Sequence, residues 1–346
     1  MIVLFPAALF GAFLALLIMP FVPAVLELKF PKDKDPLSVN GSCSGQPRYF
    51  ARSFRPLLRA AMSEEPGTQK TLLSKEETVE AAASKNLRDG QALRHILYAA
   101  GDIRTGKGAR LEKEVYVLGS AFIGERNVLR AITAEGDLYI SRLTRVTRWA
   151  DSDAGMHVSE GCDLGASAGS GGALILAGDS VFKRLFGNPV TVCPGEDFPG
   201  PVKNKNSGGP GAPGKSDKEK KCMVIGPALL PGAQKQNVIA KKDLLVKKGC
   251  VVSGGIKAYG DVALDEGVTV RGNLFAEGDI DIGPGSVVLG NVFSQGFVRL
   301  GPRARVGRPG GVKSAIGKKG MILERGSAVH GYAMTEGKGA VKEKCL

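Results

Sequence analysis

The chain is poor in the residues from which most active sites are built. Its three histidines, His95, His157 and His330, lie far apart, and no two fall at ligand spacing. None of the six cysteines forms a Cys-x-x-Cys, which removes zinc knuckles and dithiol redox motifs. Scattered, unpatterned cysteines fit a reducing compartment better than a disulfide scaffold. Aromatic residues are only 6%, and Trp149 is the single tryptophan. The full phosphate-loop phrase G-x-x-x-x-G-K-[ST] is missing, so Gly106-Lys107-Gly108 and Gly317-Lys318-Lys319-Gly320 read as turns. Gly283 and Gly285 sit within repeated strands with no helix after them, which excludes a dinucleotide fingerprint. A strict G-X-Y period is absent, so collagen is out, and no nucleic-acid module is recognisable. The reading therefore assigns no catalytic residue, no metal, no cofactor and no nucleic acid.

What is abundant is glycine, 48 of 346 residues, beside a 43% hydrophobic content. Short strands with tight turns follow, and a helical bundle does not. The net charge of +13 favours an anionic partner. Met1 to Leu26 carries no charged residue, and a helix of that length reaches across a hydrocarbon core of ~30 Å. A cleaved signal peptide would need a basic start and a shorter apolar run. Lys29, Lys32 and Lys34 follow the run, so the positive-inside rule places the body in the cytoplasm of a single-pass protein. Arg48, Arg52, Arg55 and Arg59 then recur at helical spacing among apolar residues, a basic face suited to anionic lipid. Pro56 divides that stretch into two short turns. The Ala- and Glu-rich residues 63–86 read as a connecting helix.

The clearest signal is a repeat of 18 residues running from Asn237. Gly254, Gly272 and Gly290 keep that spacing, as do Asp243, Asp261 and Asp279. So do the apolar rows Leu244/Val262/Ile280/Val298, Val246/Leu264/Ile282/Leu300 and Val252/Val270/Val288/Val306. Apolar and polar residues alternate within each short run, the period of a strand with one buried face. Three such strands per unit make one coil of a parallel β-helix, and one coil cannot bury its own face. The register loosens at Arg308-Pro309-Gly310-Gly311. A weaker copy spans about Leu97 to Val192, where Ala134-Glu135-Gly136-Asp137-Leu138 nearly repeats Ala276-Glu277-Gly278-Asp279-Ile280. Between the copies, residues 194–221 are rich in Gly, Pro and Lys and hold almost no large apolar side chain, the composition of a flexible insertion.

The predicted architecture is all-β, a parallel β-helix (solenoid, ~18-residue coils) with an N-terminal transmembrane helix. Its parts are an anchor over 1–28, a juxtamembrane basic segment and linker helix over 29–90, and a first β-helix block over 91–193. The insertion at 194–222, a second block over 223–335 and a tail over 336–346 complete it.

The phrases Gly260-Asp261-Val262, Gly272-Asn273-Leu274, Ala276-Glu277-Gly278-Asp279-Ile280 and Gly290-Asn291-Val292 resemble the bactofilin, or polymer-forming cytoskeletal protein, family. The match is good over about 237–335 and poor upstream. The resemblance implies a β-helical scaffold that polymerises end to end without nucleotide and organises envelope or cell-shape machinery. Its partners would be the lipid membrane, further copies of itself and envelope-synthesis proteins. The last rung carries Met321, Ile322, Leu323, Val329, Tyr332 and Met334 with no amphipathic cap after it, so that end is the expected polymerisation surface. The competing reading is a β-helical, hexapeptide-like acyltransferase acting on envelope sugars, suggested by Ile282-Gly283-Pro284-Gly285-Ser286-Val287. That chemistry needs a histidine base. His330, in Ser327-Ala328-Val329-His330-Gly331, reads as an exposed turn residue.

Overall fold

A strand of three residues with its middle side chain turned outward offers its core only two apolar groups. Stacking is what makes such strands stable, because each coil then covers the apolar rows of the next. A computed structural model describes residues 48–61, 69–72, 77–193, 223–226 and 237–342, with the single residues 10, 13, 14, 19 and 22. About twelve coils of parallel β-solenoid account for nearly all of it.

The 18-residue period is the register of the ladders. Val238 pairs with Ile256, Ile256 with Leu274 and Leu274 with Val292. Val262, Ile280 and Val298 stack in a second row, and Val270, Val288 and Val306 in a third. Leu264, Ile282 and Leu300 are each at most 2% exposed, along one axial column. The loosening at Arg308 is one inserted stretch. The ladders cross it as Val292–Ala315, Phe297–Gly320 and Arg305–Ala328, and then resume at Lys313–Gly331.

Upstream, the weaker repeat is the same solenoid. Lys85–Ile103, Leu97–Val115 and Met156–Leu174 keep the spacing, bulges lie near Leu111/Glu114 and Val146/Trp149, and the coils shorten at Val79–Ile96, Ala168–Leu185 and Leu174–Val190. This block starts earlier than expected. Residues 63–86 contain no helix among the described residues. Gln69–Leu72, Thr78–Ala82 and Lys85–Leu87 are strands instead. Alanine and glutamate favour a helix locally, but pairing with the next coil outweighs that preference. The second block also runs further, because its last strand, Ala328–Lys342, takes in most of the expected tail. The insertion at 194–222 lies outside the described residues.

The transmembrane helix requires correction. Among the described residues no helix is long and apolar enough to cross a membrane. The segment 1–28 lies outside them apart from the five single residues. Its composition supplies a physical reason: the uncharged run holds Pro6, Pro20 and Pro23, and each proline lacks the N–H of a helix bond and clashes with the preceding turn. The longest described helix is α1, Tyr49–Ala61, and Pro56 lies inside it without splitting it in two. Pro56 is exposed, so its missing N–H costs the helix a bond on the solvent side only.

Both blocks share one hydrophobic core, running from Ala82 to Val341. The continuity comes from an antiparallel junction. The last strand of the first block, Val181–Val192, lies against Ala328–Lys342, with Leu185 opposite Ala333, Phe186 opposite Tyr332 and Val190 opposite Val329. The two solenoids are thus joined at their C-terminal ends.

Candidate functional site: the ends and flank of the solenoid

The residues expected to form a polymerisation end sit in the middle of the molecule. Met321 and Leu323 are core residues, at most 1% exposed, and Ile322 is half-buried beside Ala340 of the last strand. Val329, Tyr332 and Met334 face Val190, Phe186 and Arg184 across the junction. The open edge foreseen there is already paired, by a strand of the same chain. His330 is likewise buried, with Nδ1 3.1 Å from Asn188 Oδ1. Burial lowers its pKa, and Arg305 adds to the effect.

Three of the four arginines are engaged by the solenoid. Arg48 Nε donates to Asp151 Oδ1 at 2.6 Å and its Nη2 to Oδ2 at 2.7 Å, both side chains being almost fully buried. Arg55 Nη2 donates to Asp151 Oδ2 at 3.0 Å and to Thr133 Oγ1 at 2.9 Å, and Arg55 also pairs with Asp153. Arg59 pairs with Glu135, which also accepts from the Tyr116 hydroxyl. Ala51, Phe54 and Leu58, spaced for one helical face, pack on Ala131, Trp149, Val79, Ile96 and Tyr116. Burial raises the Asp151 carboxyl above its ordinary range. Burial also pulls at Asp153, but Arg55 and Arg48 outweigh it and hold that carboxyl low. The basic helix therefore clamps to the flank of the first block. Arg52 is exposed, together with the outward ridge Tyr49, Phe50 and Leu57. Sequence spacing correctly places Arg48, Arg55 and Arg59 together, but their carboxylate partners are 76 to 105 residues away and carry no local signal.

Joining the C-terminal ends leaves the two N-terminal ends of the blocks, and these differ. On the first block, Glu80 and Lys85 occupy inward positions of the opening coil. Glu80 heads the column Leu97, Val115, Ile132, and Lys85 heads Ile103, Ala121, Leu138. They pair with each other as a salt bridge across the core's cross-section. Strand Gln69–Leu72 runs antiparallel on Thr78–Ala82 and pairs the outer edge of that face. A polar outer layer of this kind is how solenoids are capped.

On the second block the corresponding inward position is Met223, heading Leu244, Val262 and Ile280. Met223 is 45% exposed, whereas Leu244 below it is 1% exposed. Val224, Ile239 and Val251 continue the outward rows of Leu245, Lys257 and Thr269 and are 46%, 63% and 45% exposed, whereas the inward Ile225, Ala240 and Val252 are at most 4% exposed. Among the described residues, Met223–Ile225, Val238–Ala240 and Val251–Val252 each pair on one side only. Lys241, Lys242, Lys247 and Lys248 ring the coil at its corners, all exposed, with Lys248 bonded to Glu266 at 2.6 Å. The coil thus presents an apolar flank above a buried core.

Among the described residues no group of His, Cys, Asp and Glu could hold a metal ion. Burial pushes the Cys162 thiol up to about 11, which leaves it inert. His157 lies in a stack of rings, 4.8 Å from Tyr139, which in turn lies 5.1 Å from Phe122. No family model, no curated protein and no solved structure matches the chain.

Proposed function

We propose that this chain is a β-solenoid scaffold of the bactofilin kind, which self-associates without nucleotide and holds envelope or cell-shape machinery on its surface. The observation that carries the reading is the outermost described coil of the second block, where Val224, Ile239 and Val251 stand outward and exposed and, among the described residues, each strand pairs on one side only. Burial of that apolar flank by another copy gains apolar contact, with no bound nucleotide required. Self-association thus moves from the C-terminal rung to the N-terminal end of the second block. The acyltransferase reading has less support, because His330 is enclosed in the junction and His157 in a ring stack, and neither offers an open base.

The test is sedimentation of the full-length chain in nucleotide-free buffer. Species heavier than the 36.2 kDa chain are expected. Combined Val224→Asp and Ile239→Asp substitution should return it to monomer, since a charge at either outward position would lose its water when another copy covers the apolar flank. A wild-type chain that stays monomeric across the micromolar range would overturn the proposal.

A further inference from the structure

The two solenoids meet with corners of unequal length. At one corner of the junction Gly187 opposes Gly331 and Val190 opposes Val329, so Asn188 and Pro189 stand against His330 alone. The His330–Asn188 contact at 3.1 Å occupies that corner. At another corner Phe182 opposes Gly339 and Arg184 opposes Met334. Lys183 alone therefore stands against Thr335, Glu336, Gly337 and Lys338. A turn of one residue cannot follow a turn of four, and the mismatch leaves a cavity of about 350 Å³ beside Lys183 and Lys338. Val181 and Phe182 give it an apolar wall, and Ala166 and Asp163 border it from the preceding coil.

The charges around this cavity are unbalanced. Asp163 is answered nearby: its Oδ1 accepts the Gly165 N–H at 3.1 Å, and its Oδ2 lies 3.6 Å from Arg145 Nε. Lys183 and Lys338 are exposed and pair with no carboxylate among the described residues. Lys318 and Lys319, exposed as well, approach from the adjoining coil, where Gly337 N donates to Lys318 O at 3.3 Å. Glu336 is the only carboxylate on the strand that carries Lys338. Ammonium groups gathered with so little counter-charge raise the local potential and favour an anion among them.

We infer that this cavity binds a small organic anion. Its acid group, a phosphate or carboxylate, is held by Lys183 and Lys338, and its apolar body lies against Val181 and Phe182. The volume is near the lower end of the range for ligand pockets, roughly 300–1,000 Å³, which suits a body of about one ring. The ligand touches the last strand of each block at once, so its binding favours the joined state over any state in which the blocks part. The inference rests on the junction and is independent of self-association.

Calorimetric titration of the full-length chain with phenyl phosphate tests this. Saturable binding of one equivalent is expected, and it should weaken as salt rises because the ammonium groups are exposed. Lys183→Gln with Lys338→Gln should weaken it roughly tenfold or more, with the fold kept because both side chains are exposed. Ala166→Phe, which narrows the cavity and leaves every charge in place, should weaken it too. Hydrogen exchange should slow on binding over 181–184 and 335–340. Binding that does not saturate at millimolar phenyl phosphate would overturn the inference, and so would binding indifferent to either variant. Inorganic phosphate bound as tightly as phenyl phosphate would mean that the lysines read charge alone, and would overturn the organic ligand. Binding without slower exchange on both strands would place the ligand away from the junction and overturn the site.

Discussion

At the scale of single residues, the Gly-Asp and Gly-Asn phrases are corner devices. Asp243 Oδ1 accepts the N–H of Asp261 at 3.0 Å, Asp261 that of Asp279 at 2.9 Å, and Asp279 that of Phe297 at 2.8 Å. Asn237, Asn273 and Asn291 do the same at another corner. Each carboxylate thus satisfies a backbone donor that the turn would strand. A glycine in the following coil makes room for each aspartate: a Cβ at Gly278 would lie 2.1 Å from Asp261 Oδ1. A second corner demands positive φ once per coil, at Gly249, Gly267, Gly285, Arg303 and Gly326. Arginine at φ 58 pays a steric cost there that glycine does not. Arg303→Gly should therefore raise stability by about 1 kcal/mol, and Gly267→Ala, at φ 68, should lower it by a similar amount. Urea midpoints of the two variants decide it. Midpoints shifting in the same direction would contradict the corner reading.

At the scale of elements, α1 shows how a basic amphipathic stretch can serve a protein surface rather than a lipid one. Its helical period was legible from Arg48, Arg55 and Arg59, because 4- and 3-residue steps return to one side. The side it faces was not legible, because Asp151, Asp153 and Glu135 come from coils far along the chain. The clamp holds a buried ion pair, so removing one partner costs more than the pair contributes. Arg48→Met should destabilise the docked helix by about 3 kcal/mol, with Asp151 left to Arg55 alone. Hydrogen exchange should then quicken over 49–61 and leave the solenoid strands protected. Adding Asp151→Leu should restore part of the protection. Uniform loss across the first block would mean that α1 is integral to the solenoid rather than strapped to it.

At the scale of the whole molecule, the junction between the blocks decides the behaviour of the chain. It is closed by backbone bonds such as Gly326 N to Val192 O at 2.8 Å, and by the ring pair Phe186–Tyr332 with centroids 5.0 Å apart. His330 lies inside it against Asn188, with Arg305 nearby and Lys313 packed against the same turn at Gly307. Its lowered pKa means that the folded state favours the neutral imidazole, whereas the unfolded chain takes up the proton near 6.5. The stabilisation is present above that value and is lost as pH falls toward the folded pKa. Between pH 7.5 and 5.0 the wild type should lose more stability than His330→Gln, as read from urea midpoints. Equal losses would remove His330 from the pH response.

The 18-residue coil was determined by the sequence alone, because in a stack of parallel strands the same chemical position recurs at the same place in every turn. Apolar rows, corner aspartates and obligatory glycines are then all visible as one spacing. The inserted stretch at Arg308–Val312 was legible for the same reason, as a break in that spacing. The use of each end was decided only in three dimensions. Thr191 bonds to Ser327 across 136 residues of sequence, and no periodicity relates the two strands that carry them. A terminal rung looks equally adhesive in sequence whether its edge is open or already paired. Glu80 and Lys85 reveal themselves as a cap only when the ladder places both of them over the core. Burial depends on what the chain brings to a surface from elsewhere, and local spacing carries no record of it.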